Sequence, residues 1–270
     1  MKDPRLLAEV AEHPFPLLFA TVSGAHLYGF PSADSDFDLR GAHVAPTALL
    51  GGLDKINETV KSSHVREGME VDLVTHEARK FLSLLLRDNG YVLEQLYSPL
   101  VVLTTPEHEE LKVIARGCVT RQCVRHYLGF AANQWMMFVD EEPRRLKPLL
   151  YVFRVLLSGI HMMRSGEVNA NLPECNAALG ATRLLWLDEL IARKTSGEEQ
   201  GTIKGADLEL YAREYVRLRE RLSTEAEESE LPDTATARPA MKDLLHRIRQ
   251  SGLGKTDRGA APGPNTSTRR

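Results

Sequence analysis

The sequence predicts an α+β fold in two parts, a half that mixes strands and helices up to about residue 105 and an all-helical half after it. Three observations carry this. LLFATV at 17–22 and MEVDLV at 69–74 are short apolar runs of strand length, bounded by turn residues. From about residue 107 the apolar residues recur at helical spacing instead, as Leu149, Val152, Phe153, Leu156, Leu157 and Ile160 do. A chain of 270 residues, 43% of them hydrophobic, can bury one large core or two modest ones.

Residues 17–22 are expected as a buried strand. SGAHLYGF follows, with two glycines and then Pro31, and reads as a turn-rich connection. In SADSDFDLRGAHVAP, residues 32–46, a strand would turn Phe37, Leu39, Ala42 and Val44 inward and leave Asp36, Asp38 and Arg40 on the other side. Residues 47–50 fit a helical turn and 55–65 an edge strand. In the strand at 69–74, Asp72 lies between apolar neighbours. Thr75 is expected to cap the next helix, which runs through FLSLLL to about Arg87 and is stopped by Asp88-Asn89-Gly90. Residues 91–103 hold a short helix and an apolar tail.

Further helices are expected near 107–117, 119–137, 145–165, 176–194 and 207–222, with Trp135, Met136 and Met137 as core residues. LSTEAEESELPDTATARPA reads as an acidic linker, and 241–249 as one more helix. The tail from Gly252 has nothing to bury and is expected to be disordered. The organisation is therefore 1–105, 106–222 and 223–270.

The charge is nearly balanced, 34 Lys and Arg against 37 Asp and Glu, so no global field draws the chain to nucleic acid. A local basic groove remains compatible with that balance. Cys118, Cys123 and Cys175 match no zinc or disulfide spacing and read as thiols of a reducing compartment. The first residues, MKDPRLLAEVAEHPFP, are charged and broken by prolines, unlike a signal peptide. No uninterrupted apolar run approaches the ~20 residues of a membrane helix. A soluble, cytoplasmic protein without a membrane partner is the expectation.

The chemistry concentrates in three aspartates. Asp36 and Asp38, two apart on a strand, share a face. Asp72 joins them if its strand lies alongside. Three converging carboxylates repel one another and call for a divalent cation. Magnesium, with manganese as its substitute, is satisfied by carboxylates and phosphate oxygens. Two such ions about 3.5–4 Å apart suit attack at the α-phosphorus of a nucleoside triphosphate. Gly24 and Gly29 would let backbone N–H groups approach a polyphosphate. Arg40 either neutralises developing charge or pairs with an aspartate. His26 either touches phosphate or packs the glycine loop, and Tyr28 reads as packing. D-x-D is also common in exposed turns; the apolar flanks, the preceding glycines and the third aspartate set this pair apart. The spacing lacks the glycine and glutamate of a calcium loop, and Gly29 is not followed by the Lys-Ser/Thr of a P-loop.

The run GAHLYGFPSADSDFDLRG, residues 24–41, resembles the signature of a bacterial and phage branch of the DNA polymerase β-like nucleotidyltransferases, one group of which is linked to RNA repair. That signature reads Gly-Ser-His/Arg-x-Tyr-Gly, a spacer, then Ser-Asp-x-Asp-x-Arg-Gly. Gly24, His26, Tyr28 and Gly29 match its first part, Ser35, Asp36, Asp38, Arg40 and Gly41 its second, and Asp72 its third carboxylate. The helix with Lys147, Tyr151 and Arg154, then Gly159 and Gly166, resembles the family's downstream motif, whose basic residues are expected to face the triphosphate. The resemblance spans about 17–170.

It implies a small mixed β-sheet nucleotidyltransferase domain with flanking helices, followed by an all-helical domain closing over nucleotide. It implies ATP or another nucleoside triphosphate as donor, Mg²⁺ or Mn²⁺ as cofactor, and Asp36, Asp38 and Asp72 as metal-binding and catalytic carboxylates. The acceptor would be a hydroxyl, an RNA 3′ end in first place and a protein side chain in second, as in a protein adenylyltransferase. One departure is Ala25, where the family has a serine that helps bind polyphosphate. Losing one such contact costs ~0.5–1.5 kcal/mol, and it motivates the alternative of a non-catalytic nucleotide-sensing module.

Overall fold

A computed structural model describes residues 3–52, 56–197, 203 and 205–251. The tail expected to be disordered lies outside the described residues. Helix α1 (Pro4–Ala11) starts with Asp3 accepting from the Arg5 amide and proline in the first turn. Strand β1 (Leu17–Val22) is buried along its whole length. A one-turn helix, α2 (Gly24–Tyr28), leads to strand β2 (Phe37–His43), the short α3 (Thr47–Leu50), and strands β3 (Thr59–Arg66) and β4 (Met69–Glu77). Helices α4 (Ala78–Leu85) and α5 (Gly90–Tyr97) precede strand β5 (Val101–Leu103). The rest is helical: α6 (Pro106–Ala115), α7 (Val124–Asp140), α8 (Leu146–Ser165), α9 (Leu172–Ala177), α10 (Leu185–Thr195), α11 (Gly205–Glu228) and α12 (Arg238–Gln250).

The strands form one mixed sheet in the order β3-β4-β2-β1-β5. β2 and β4 are parallel, and the other pairings are antiparallel. β3 and β4 are joined by Glu67-Gly68, both at positive φ, which is the geometry of a tight two-residue hairpin. β4 alternates between buried and more exposed residues from Met69 to Glu77, and this fixes its register. β1 and β2 approach closely at Gly41, where a Cβ would lie 2.2 Å from the Phe19 carbonyl oxygen.

Both sheet faces are covered. One carries Leu17, Ala20, Val22, Leu39, Val71 and Leu73, roofed by Leu6 and Val10 of α1. The other, with Phe19, Ala42 and Val44, is continuous with the core of the helical half through Phe81, Leu93, Leu111 and Phe153. Phe37 and Leu39 therefore point away from Ala42 and Val44, as the period of two requires, and the four do not share one inward face.

Several local expectations change. Residues 24–28 are helical, not a bare turn. Thr75 does not cap α4: the strand continues to Glu77, whose carboxylate accepts from the Arg79 amide. The Thr75 hydroxyl lies between His13 Nε2 (2.9 Å) and His43 Nδ1 (2.8 Å), which explains why it stays in the sheet. The helix expected over 176–194 is two helices with a 3₁₀ turn between them. α11 runs on through the acidic run to Glu228, past the expected start of the linker. Met136 and Met137 are 58% and 59% exposed, not core; Trp135 stacks on Tyr215 with ring centroids 4.4 Å apart. Among the described residues one helix, α8, is long and apolar enough to cross a membrane, and 78% of that span is buried as the central helix of the core.

Candidate active site

The parallel register sets Asp38 directly beside Asp72. Asp36 lies two residues earlier, in the loop that enters β2. The Ser23 amide donates to the Asp38 carbonyl at 2.8 Å and ties the start of α2 to that strand. Gly24 has φ +61°, and a Cβ there would meet Asp38 Oδ2 at 1.8 Å. Only glycine fits this position, because it combines a left-handed backbone with contact against the carboxylate.

Arg40 lies between the paired aspartates. Nη2 donates to Asp38 Oδ1 (2.6 Å) and Asp72 Oδ2 (3.2 Å), Nη1 to the Leu39 and Asp72 carbonyls, and Nε to the Tyr91 hydroxyl. All five N–H donors of the guanidinium are engaged. Of the two roles open from sequence, the geometry has Arg40 pairing with the aspartates. Burial works against its charge, but Tyr91, Asp38 and Asp72 outweigh burial and hold its pKa above the ordinary value. Burial pushes the Asp38 carboxyl up; Arg40 opposes this, while Asp36 and Asp72 add to it.

His26 stacks on Phe37 with centroids 4.0 Å apart, at the residue that follows Asp36, so it braces the aspartate loop. Burial lowers its pKa, and Nδ1 is buried without a hydrogen-bond partner. Ser35 closes the loop: its amide donates to the Ser32 carbonyl (3.1 Å), and its Oγ accepts from the Ser32 amide (2.9 Å). Beneath it the fully buried Lys194 of α10 donates to Ser32 Oγ at 2.6 Å.

The helical half supplies the other wall. The charge of Lys147 on α8 acts on Asp34 and Asp38. Tyr151, one turn on, meets Tyr28 and Phe30 edge-on; burial raises its pKa, and Asp38 raises it further. Arg154 was expected to face the triphosphate. Its side chain is instead 2% exposed, with Nη1 2.7 Å from both carboxylate oxygens of Glu94 and the guanidinium 4.1 Å above the Tyr28 ring. Its neighbours on α8 are apolar, and the buried carboxylate of α5 takes up its charge. Gly29 caps α2 at φ +82° and faces Asn171 and Pro173. The methyl of Ala25 packs into the main core, and the neighbouring Ser23 hydroxyl is buried without a partner.

Tyr91, Lys194, Ser32 and Glu94 were not anticipated. Asn89 could have pointed to Tyr91, since it caps α5 by accepting from the Tyr91 and Val92 amides. The others act across 60 to 162 residues and leave no local pattern.

The carboxylates are the right donors for a hard divalent ion. Among the described residues, no three acidic, histidine or cysteine side chains converge tightly enough to enclose one. Arg40 stands between two of the three candidates, so the donors suit an ion held by part of the set. A cavity of about 770 Å³ lies apart from them and is lined by Leu49, Ile56, Arg79, Lys242, His246 and Arg249.

An uncharacterized protein of Methanocaldococcus jannaschii is 33% identical over 156 residues, 57% of this chain and 63% of that relative, so the match spans less than two thirds of the relative's length. The uncharacterized protein YcgL of Bacillus subtilis is 25% identical over 193 residues, 68% of this chain and 71% of its own. A crystal structure of a nucleotidyltransferase-like protein from Exiguobacterium sibiricum aligns over 92% of this chain and 74% of its own, at 11% identity and a TM-score of 0.31, too distant to carry any argument. Over residues 3–247 the sequence matches the RNA repair pathway DNA polymerase beta family, and the chain belongs to that family of polymerase-beta-like nucleotidyltransferases.

Proposed function

We propose that the protein transfers a nucleoside monophosphate from a nucleoside triphosphate, ATP first, to an acceptor hydroxyl, the hydroxyl oxygen losing its proton and bonding to the α-phosphorus as pyrophosphate leaves, with an RNA 3′ end as the first acceptor to test. The observation that carries the reading is the side-by-side placement of Asp38 and Asp72 on parallel strands, with Asp36 at the strand entrance. Carboxylates of this set would hold Mg²⁺ or Mn²⁺, which when bound offsets negative charge on the triphosphate and lowers the pKa of the attacking hydroxyl. Arg40 holds Asp38 and Asp72 in place. Lys147, whose field already reaches Asp38, supplies positive charge on the triphosphate side, with Tyr151 beside it. Gly24 allows the start of α2 to lie against Asp38, and His26 and Ser35 keep the Asp36 loop in shape. Arg154 contributes from behind, by fixing Tyr28 and joining α8 to α5.

A second reading, a module that binds nucleotide without turning it over, is favoured by Ala25, whose buried methyl replaces a polyphosphate-binding hydroxyl. Transfer of label from α-³²P nucleoside triphosphates distinguishes the two. The assay offers RNA 3′ ends and a cell extract with Mg²⁺ or Mn²⁺, beside an Asp36→Asn, Asp38→Asn control. Label on RNA that is absent from the control supports the proposal. Label on protein keeps the chemistry and replaces the acceptor. Aspartate-dependent nucleotide binding without any transfer favours the sensing module.

A further inference from the structure

We infer that the open face of β3 and β4, with Lys61 and Lys80 at its far end, is the docking surface for the acceptor, and that this acceptor is the single-stranded end of an RNA, its backbone phosphates on the two lysines and its terminal hydroxyl toward Asp72. The inference rests on the transfer reading above. Side chains directly opposite in neighbouring strands share a face, so the register sorts this one into rows. Ser63, Asp72 and Asp38 form the first, Lys61, Val74 and Arg40 the second, and Thr59, His76 and Ala42 the third. Lys80 of α4 closes the third row: its Nζ donates to Thr59 Oγ1 at 2.6 Å, and that hydroxyl lies 3.0 Å from His76 Nδ1. The alternate residues of β3, Ser62, His64 and Arg66, turn to the other face, where Glu9 and Glu12 meet them.

The charges on this face favour an anionic strand. β3 is the edge of the sheet, and Lys61 and Ser63 stand exposed on it. Among the described residues neither Lys61 nor Lys80 pairs with a carboxylate, whereas Arg66, Arg79 and Arg249 around them each do. The lysine charges converge on His76: burial lowers its pKa most, and Lys80, Arg40 and Lys61 add to that, bringing it down to about 4. The imidazole is therefore neutral at neutral pH and offers hydrogen bonds, while the lysines supply the charge. From the aspartate row to the Lys80 row β4 advances four residues, ~13 Å at the rise of a strand. An RNA whose terminal hydroxyl reaches Asp72 would carry its last phosphates over Lys61 and Lys80. Those phosphates must come up to three aspartates that repel them, and two unpaired cations just beyond offset that repulsion. A serine or tyrosine of a protein brings no such fixed charge, and for it the two lysines would go unused.

The test is equilibrium binding of a fluorescein-labelled single-stranded RNA to the full chain, followed by anisotropy over a salt series without triphosphate. Each phosphate contact contributes about 0.7 to the slope of log affinity against log salt. The double variant Lys61→Gln, Lys80→Gln is expected to bind more weakly, by the same factor on unrelated sequences, with a slope shallower by about 1.4. Lys112→Gln, which removes a lysine of α6 that is paired with Glu109, is expected to bind as the wild type does. In the label-transfer assay the double variant should raise KM for the RNA and leave KM for ATP unchanged. Wild-type affinity and slope in the double variant, with unchanged circular dichroism, would overturn the inference, as would a wild type that binds no RNA and labels a protein. If the double variant does not fold, Lys61→Gln alone decides, by a slope change of about 0.7 or none. RNA bound through these lysines with no label passed to any acceptor would instead sink the transfer reading and leave this face as a nucleic-acid surface.

Discussion

Replacing Glu94 with leucine leaves the Arg154 guanidinium buried at 2% exposure with no carboxylate, while its ring partners Tyr28 and Phe130 stay in place. Removing one member of a buried ion pair costs about 3–5 kcal/mol. At roughly 2–4 °C per kcal/mol for a domain of 150–250 residues, the melting temperature should fall by roughly 6–20 °C. The reciprocal change, Arg154→Met, should cost less. Burial already pushes the Glu94 carboxyl up, so without Arg154 it takes up a proton and sheds its charge, whereas an arginine cannot. That loss should shrink further as the pH falls. The double variant Glu94→Leu, Arg154→Met removes both charges and fills the space with apolar groups. It should recover most of the loss, since such replacements range from neutral to stabilising by ~1–4 kcal/mol. Urea unfolding of the four proteins at constant pH, compared at unchanged m-value, measures the coupling. Equal losses in the two single variants, or a double variant as unstable as their sum, would refute the account of this pair as mutually dependent charges.

Other consequences follow from the same contacts. Burial, aided by His13, lowers the His43 pKa to about 3. Between about 3 and the ordinary 6.5 the unfolded chain holds a proton the folded one lacks, so stability is full above 6.5 and falls by about 1.4 kcal/mol per pH unit on acidification. His43→Gln should remove about 2.3 kcal/mol of the wild type's loss between pH 6.5 and 4.5, as read by urea unfolding. Gly41→Ala drives a methyl into the Phe19 carbonyl and should cost at least ~1–3 kcal/mol by calorimetry, whereas Gly129→Ala, on α7 with nothing within 4 Å, should stabilise by ~0.5–1 kcal/mol. Gly24→Ala should abolish label transfer through its collision with Asp38 Oδ2; undiminished transfer would separate that contact from the chemistry. Lys194→Met should cost ~1–3 kcal/mol by releasing the Ser32 turn, and should weaken Mn²⁺ affinity without changing the number of ions bound.

How far the sequence could be read depended on the reach of each interaction. β1 and β4 were legible because burial and alternation are written in consecutive residues, and the partnership of Asp38 with Asp72 needed only that their strands be neighbours. α2 was hidden because glycines at both ends, each at positive φ, look like a turn when the one helical turn between them is ignored. Thr75 looked like a cap because its type favours that role, but two histidines, one 62 residues away and one 32, hold it in the strand. Arg154 carried the right charge on the right helix; its direction was decided by Glu94, 60 residues earlier. Lys194 is the extreme case, a charged residue near the end of an amphipathic helix whose partner is 162 residues upstream.

The parallel pairing of β2 with β4 also determines where the chain can change length. The connection after β2 brings the chain back so that β4 lies alongside β2, and the stretch around α3 can grow or shrink while the paired strands keep their places. Inside β4 there is no such freedom. One residue inserted between Met69 and Asp72 would send the carboxylate to the face roofed by α1 and exchange it for an apolar neighbour. Lengthening is thus absorbed on the connection and rejected on the strands, and the boundary between tolerant and intolerant chain lies at Thr59, where β3 takes up its register with β4.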